Sequence, residues 1–224
     1  MKSPISPYQP VLLRLLHNAI ALLVFSVLIT GYIIYDRFDK RWGSLNLPTF
    51  RDPQGLHGTI ALAFWILLPI FALYCFHIGY RHLVQKESLT QLKNIDKPIW
   101  WISLHRLTNT LTLVSATLAV VTGRMMKEDW LPNQELNHTW YIGHLLSWLF
   151  MIVSIAFHLL MSVKIGGLPL LLSMLKWQIQ AKDMPNSWFR KFKIKPSSTV
   201  LFIFEFFVIG GIAIAVFLPV ISQT

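Results

Sequence analysis

Two histidines on one hydrophobic segment, His144 and His158, are fourteen residues apart. On an α-helix, fourteen steps of about 100° return to within about 40° of the starting direction and separate the side chains by about 21 Å along the axis. Both imidazoles therefore lie on one helical face, one near each side of a membrane core about 30 Å thick. This spacing is typical of ligands to two flat metal cofactors at opposite depths of a membrane bundle. The alternative is a helix with two unrelated interfacial histidines.

Two further histidines, His17 and His57, lie in other hydrophobic segments, where partners for such cofactors would be required. A neutral imidazole at each axial position of an iron porphyrin makes a six-coordinate b-type haem suited to electron transfer, with no open site for oxygen. Ionisable side chains within membrane spans are costly and indicate function by default. Together, the four histidines predict two bis-histidine haem b groups.

The segments that must position these histidines are membrane spans. Of the 224 residues, 54% are hydrophobic and only 13% are charged, which is typical of a polytopic membrane protein. Each of five apolar runs can cross the membrane as a helix that satisfies its own backbone polar groups. These runs are residues 11–35, 54–80, 99–122, 140–163 and 200–220. We therefore expect an all-α membrane protein, with a four-helix transmembrane haem-binding bundle plus a fifth transmembrane helix.

The chain is expected to form a single membrane domain over residues 1–224. Its parts are a di-haem four-helix core at 10–165, a cytoplasmic basic linker at 166–199 and the fifth transmembrane helix at 200–220. The first apolar run is too long for a signal peptide and is followed by charged residues rather than a small-residue cleavage site, so it is expected to be retained.

Local signals predict where three of the helices begin or end. Asp52 before Pro53 is typical of an N-cap followed by proline at the first helical position, and Asp96 with Pro98 suggests a similar start for the third run. The Gly166–Pro169 stretch predicts the end of the fourth helix.

The chain has a net charge of +10, and its basic residues are concentrated in the segments on one side of the predicted membrane, unlike the basic surface of a nucleic-acid-binding protein. The N-terminus, the 81–98 loop and the 164–199 loop, with adjoining helix ends, hold 14 of the 20 Lys and Arg residues but only three acids. The positive-inside rule then predicts a cytoplasmic N-terminus and an extracytoplasmic C-terminus. Within the third segment, the basic cluster at 190–195 is expected to contact anionic headgroups or a soluble partner.

This topology assigns a depth to each histidine. His17, near the start of the first span, and His158, near the end of the fourth, lie on the cytoplasmic side. His57 and His144, each near the start of its span, lie on the outer side. The predicted pairs are therefore His17 with His158 and His57 with His144.

Several other residues are weaker candidates for the same chemistry. His105 lies at the inner depth, where it could replace His17 as the partner of His158 or form part of a quinone or proton site. It shares a helix face with Asn109, in a stripe of small and polar residues that is otherwise typical of helix packing. Arg14, one turn from His17, could neutralise a haem propionate or extend to the headgroups. Glu205 could relay protons to a quinone, although snorkelling to the surface is the simpler interpretation. His138 is most simply an exposed loop residue.

The single cysteine, Cys75, excludes a disulfide framework and a C-x-x-C-H attachment site, so the haems are expected to be non-covalent. His57 and His77 are twenty residues apart on the second run. This spacing does not fit cytochromes that carry a spaced histidine pair on each of two helices.

At His17, His57, His144 and His158 the chain resembles the small prokaryotic di-haem cytochromes b, a superfamily that includes bacterial cytochrome b561 and the cytochrome subunits of formate dehydrogenase and nickel–iron hydrogenase. The resemblance covers residues 10–165 and implies that these four histidines ligate two haems. It also implies a multi-pass protein of a prokaryotic inner or thylakoid membrane, with a dehydrogenase or other redox subunit and a quinone as partners. The fifth helix departs from this four-helix pattern.

Three functions follow as alternatives. The first is an electron-transfer subunit that carries single electrons across the membrane and exchanges with the quinone pool in respiration or photosynthesis. The second is a self-standing oxidoreductase, like cytochrome b561-type proteins that oxidise superoxide and reduce quinone. The third is a non-redox membrane protein whose histidines are incidental.

Overall fold

The computed structural model describes residues 8–48, 50–127, 129–180, 183–185, 188 and 198–221. These residues form helices and irregular connections, with no β-strand among them. The helices are α1 (Val11–Phe38), α2 (Pro53–His77), α3 (Lys86–Gln91), α4 (Pro98–Arg124), α5 (Thr139–Ser173) and α6 (Thr199–Ile221), with a single 3-10 turn at Tyr80–His82. The predicted basic cluster at 190–195 and neighbouring parts of the linker lie outside the described residues.

The helix starts follow the local chemistry of the sequence, with one exception. The Asp52 carboxylate accepts a hydrogen bond from the Gly55 amide, and α2 begins at Pro53, so that prediction is confirmed. Helix α4 begins at Pro98 as expected, but Lys97 occupies the cap position without a side-chain hydrogen bond. Asp96 instead adopts a left-handed backbone with φ of 63°, which places it in the preceding turn.

The fourth predicted span breaks at the glycines that its sequence signals indicated. Gly167 has a non-helical backbone, with φ of 63° and ψ of −169°, yet helical geometry resumes around Pro169 and α5 ends at Ser173. The prediction that the fourth span ends at these glycines is therefore confirmed, and the residues up to Ser173 form a second, short helix beyond the break. A left-handed glycine interrupts the helix, and proline then suits the first turn of the continuation because it needs no amide donor there.

Four helices, α1, α2, α5 and α6, are long and apolar enough to cross a membrane. Helix α4 is not among these four because it is rich in hydroxyl side chains, although its 27 residues extend about 40 Å. The hydroxyls of Thr110, Thr117 and Thr122 donate to backbone carbonyls four residues earlier, so they cost little in an apolar bundle. The predicted all-helical membrane bundle is confirmed.

Helix α4 packs between α5 and α6, while α2 contacts both α1 and α6. A continuous buried core joins these helices through Phe64 and Leu68 of α2, Leu113 and Ala116 of α4, and Met151 of α5. Large apolar side chains on the outside remain exposed, which suits contact with lipid tails. Examples are Leu22, Ile29, Ile66, Phe150, Leu160 and Phe206.

The fifth long helix is packed tightly against this core. Leu201, Val208 and Ala215 of α6 are completely buried. A Cβ atom added at Gly211 would lie 2.5 Å from the Thr117 methyl group, so this crossing of α4 and α6 requires a glycine. Close approach through small residues is a usual way for membrane helices to gain packing contacts.

Candidate cofactor site

His57 and His144 face each other where α2 and α5 begin. Their ring centres are 6.2 Å apart, and the ring planes are inclined by 85°. The two helices place these rings at the same end of the bundle because each histidine follows its helix start by a little more than one turn.

Both rings of this pair are oriented by a hydrogen bond at Nδ1. The Nδ1 of His57 lies 2.9 Å from the Thr30 hydroxyl, which itself donates to the α1 backbone and so accepts the ring N–H. The Nδ1 of His144 lies 3.0 Å from the carbonyl oxygen of Ala119, which can only accept. The Thr122 hydroxyl is 3.1 Å from the same nitrogen. With the proton on Nδ1, the Nε2 atom of each ring carries the lone pair that a metal needs.

A cavity of about 350 Å³ surrounds these two rings. Its deeper wall is apolar and includes Leu28, Phe64 and Met151, whereas Arg124 and Lys127 also line it near the end of α4. Neither cation was predicted as a site residue, since nothing in the local sequence distinguishes these two from other basic residues at a helix end.

Glycines allow the helices to approach the two rings closely. A Cβ atom at Gly123 would lie 3.1 Å from Cε1 of His144, and one at Gly31 would lie 3.4 Å from Cε1 of His57. Gly58, next to His57, has open space around its Cα, so it provides room on the cavity side.

His17 and His158 form a second pair, with ring centres 6.2 Å apart and planes inclined by 37°. The Nδ1 of His158 donates to the Asn109 side-chain oxygen at 2.6 Å, which again leaves Nε2 with the lone pair. The Nδ1 of His17 is buried without a hydrogen-bond partner among the described residues, and Phe71 meets its ring edge-on at 6.5 Å. Asn109 was predicted only as part of a helix-packing stripe, and its contact with His158 was missed.

His105 lies beside this second pair. Its ring centre is 5.4 Å from that of His158, with planes inclined by 27°. The Ser162 hydroxyl donates to the His158 carbonyl, so it accepts the N–H of His105 Nε2 at 3.1 Å. The Nε2 of His105 therefore carries a proton that is hydrogen-bonded to Ser162, so it has no lone pair to offer a metal.

Arg14 is one turn from His17 and is 6% exposed. Its Nη2 donates to the carbonyl of Gln178 at 2.6 Å, and its guanidinium lies 5.4 Å from the centre of the Tyr8 ring. Its Nε is buried, with no partner among the residues that the structure describes. Tyr8 donates to Asp183 at 2.7 Å, and partial desolvation together with this bond raises the pKa of the tyrosine. Arg14 therefore ties the segment after α5 to the start of α1, rather than extending to the headgroups.

Two of the remaining candidates differ from their predicted surroundings. Glu205 bonds His77 at 2.9 Å between α6 and α2, so the interpretation that it snorkels to the surface was wrong. His138 is half-buried, accepts a bond from the Trp140 amide at the start of α5 and stacks on Trp130 at 3.6 Å. It is a helix cap rather than an exposed loop residue.

The two pairs have the geometry that a six-coordinate iron porphyrin needs. Metal–nitrogen bonds of about 2.0–2.1 Å to one nitrogen of each imidazole bring the ring centres to about 6 Å apart, and both pairs have a separation of 6.2 Å. Metal-bound histidines also usually donate their second ring N–H to an oxygen acceptor, as His57, His144 and His158 do here. The residues present therefore fit haem.

Comparison with known proteins agrees with this geometry. A family model described as prokaryotic cytochrome b561 matches residues 8–177, which include α1 to α5 and leave α6 outside. No curated protein matches the chain, and no solved structure does either. Since the family match covers more than half of the sequence, the chain belongs to the prokaryotic cytochrome b561 family.

Proposed function

We propose that this membrane b-type cytochrome binds two haem b groups, between His57 and His144 and between His17 and His158, and carries single electrons from one to the other. The observation that carries the proposal is the equal 6.2 Å separation of the two histidine pairs. Each haem, when bound, supplies a reversible one-electron iron couple. The histidines keep the iron six-coordinate, which favours electron transfer over oxygen binding.

The hydrogen bonds at Nδ1 support this assignment because they fix both the tautomer and the orientation of the rings. Thr30, Ala119 and Asn109 accept from His57, His144 and His158 respectively. Each bond raises the basicity of the opposite nitrogen and holds its lone pair in one direction. A ligand that is already oriented loses little conformational freedom when the metal binds.

His17, rather than His105, is proposed as the partner of His158. Coordination through Nε2 of His105 would break its bond to Ser162 and leave the serine without that donor. His17 has no such bond at Nδ1, which is buried without a hydrogen-bond partner among the described residues. Its separation from His158 also fits two metal–nitrogen bonds, whereas the closer, nearly parallel contact of His105 with His158 resembles ring stacking.

Helix α5 links the two proposed haems. It carries His144 and His158 about 21 Å apart along its axis, and Met151, midway between them, is 2% exposed in the core. Porphyrins held by these ligands would extend beyond their irons, so the distance between their edges would be shorter than that between the irons. Electrons are therefore proposed to cross directly, without another cofactor.

We propose a cytoplasmic N-terminus and an extracytoplasmic C-terminus, because 14 of the 20 Lys and Arg residues lie in the segments that this topology places in the cytoplasm. The His17–His158 pair then faces the cytoplasm and the His57–His144 pair faces outward, in a prokaryotic inner or thylakoid membrane. A quinone and a dehydrogenase or other redox subunit are the proposed electron-exchange partners, in respiration or photosynthesis.

Haem content and site-specific substitution test this function. Pyridine haemochrome analysis of purified protein should give two haems per chain, both low-spin. H144A should lose one haem, H158A and H17A should each lose the other, and H105A and the control H138A should keep both. A single haem in the unmodified protein, or loss of a haem in H105A with both retained in H17A, would contradict the assignment.

The direction of the electron path has its own test. In sealed vesicles with the extracytoplasmic face outside, a membrane-impermeant reductant should reduce the His57–His144 haem first and the other haem afterwards. In H144A, reduction of the remaining haem should slow at least tenfold. Equal rates in H144A and the unmodified protein would show that electrons do not follow this route.

A further inference from the structure

The cavity around His57 and His144 has an apolar interior and a cationic mouth. Leu28, Phe64 and Met151 line its deeper part, on the side toward the centre of the bundle. Arg124, the last residue of α4, and Lys127, just beyond the helix, line it at the end of the bundle. A ligand that fits this cavity therefore has an apolar body and a negatively charged edge.

These two cations have no carboxylate partner among the residues that the structure describes. The ion pairs found there join Arg41 to Asp39 and His77 to Glu205. The Arg124 guanidinium instead lies 5.0 Å from the centre of the Trp65 ring, and its Nε makes only a long 3.5 Å contact with a backbone carbonyl of α6. The aromatic ring holds the guanidinium in position by a cation–π contact without neutralising its charge.

We propose that Arg124 and Lys127 bind the two propionate groups of the haem held between His57 and His144. This inference rests on the proposed function, because it needs a haem at that site. Haem b carries both carboxylates on one edge and apolar substituents on the opposite edge, which matches the polarity of the cavity. Arginine suits a carboxylate through paired N–H donors, and the lysine ammonium adds a second positive charge.

The position of Arg124 next to Gly123 supports this arrangement. Gly123 is the point where α4 comes within contact distance of the His144 ring, since an added Cβ there would lie 3.1 Å from Cε1. Arg124 directly follows Gly123 and lines the same cavity as His144, and Lys127 follows three residues later, beyond the end of the helix. Both cations and both histidines therefore line one cavity.

Binding of this kind has two measurable consequences. Charge-assisted hydrogen bonds slow the release of haem, and their loss should speed its transfer to apomyoglobin about 10-fold to 100-fold. The positive charges also offset the propionates, so their removal should favour ferric iron and lower the midpoint potential of this haem. The other haem should keep its potential, which makes it an internal reference for correct folding.

The experiment compares R124Q and K127Q with R51Q, a control that removes a cation from an exposed loop residue outside the cavity wall. Apoprotein from haem-limited expression is loaded in detergent with haem b or with its dimethyl ester, which lacks both carboxylate charges. With haem b, R124Q and K127Q should each release the His57–His144 haem faster, and R124K should restore part of the retention. With the dimethyl ester, all variants should match the unmodified protein within about twofold.

Each outcome decides a separate point. Unchanged haem release and potential in R124Q and K127Q would overturn the propionate assignment while leaving the di-haem function intact. An effect that persists with the dimethyl ester would also overturn it, because the role of the two residues would then be structural. If the unmodified protein holds no haem between His57 and His144, both proposals fail.

Discussion

Replacement of Asn109 by leucine tests how the structure orients the His158 ligand. The Asn109 side chain accepts a bond from Nδ1 of His158 at 2.6 Å and donates to the His82 carbonyl at 2.8 Å. Leucine has a similar size and removes both bonds. It leaves the ring N–H of His158 without its acceptor, so neither the tautomer nor the orientation of the ring stays fixed.

The expected loss can be estimated from these two bonds. Removal of the outer partner of a metal-bound histidine lowers metal affinity about 10-fold to 100-fold, or about 1.4–2.8 kcal/mol. Loss of the second bond, to the His82 carbonyl, should reduce the stability of the fold by about 1 kcal/mol. A less basic Nε2 on His158 also stabilises ferric iron less, so the midpoint potential of the remaining haem at this site should rise.

The assay is haem transfer to apomyoglobin together with a redox titration of both haems. T110V is the matched control, because the Thr110 hydroxyl accepts a 2.9 Å bond from the Val84 amide and so anchors the same loop without touching His158. N109L should release the His17–His158 haem at least tenfold faster and leave the other haem unchanged, whereas T110V should leave both haems unchanged. Equal behaviour of N109L and T110V would refute the view that Asn109 acts through the His158 ring.

Three further predictions concern the packing around the haems and the attachment of the cofactor. G123A should displace the His144 ring by a few tenths of an ångström and weaken haem binding there. G210A is the control, because its added methyl group meets no atom within 4 Å. Equal haem retention in the two variants would show that the contact between Gly123 and His144 does not matter for haem binding. E205Q should lower stability by up to about 3 kcal/mol because it removes the carboxyl group that bonds His77. The H77Q/E205Q pair should lose less than the two single changes added together, and strict additivity in thermal unfolding would show that the 2.9 Å contact contributes nothing. Acidic acetone should extract all of the haem, because the chain has one cysteine and no C-x-x-C-H sequence for covalent attachment. Haem that remains on the protein after extraction would contradict non-covalent binding.

The sequence by itself determined the elements and the register of the candidate ligands. Apolar runs long enough to cross a membrane must satisfy their backbone internally, so their length and composition predicted the helices. The cap at Asp52 follows from residue type at one position. The phase of His144 and His158 depends only on the pitch of a single helix, which any regular α5 preserves.

Tertiary packing decided which side chains meet, and this depends on how the helices rotate and slide against one another. Because α4 packs against α5, its polar side chains meet those of α5, which brings Asn109 to His158 and His105 to Ser162. The partnership of Glu205 with His77 likewise needs α6 to dock on α2, a contact between residues far apart in sequence. No periodicity within one segment encodes such pairings, since the depth of a residue can be read from its own helix but its neighbours are fixed only when separate helices pack.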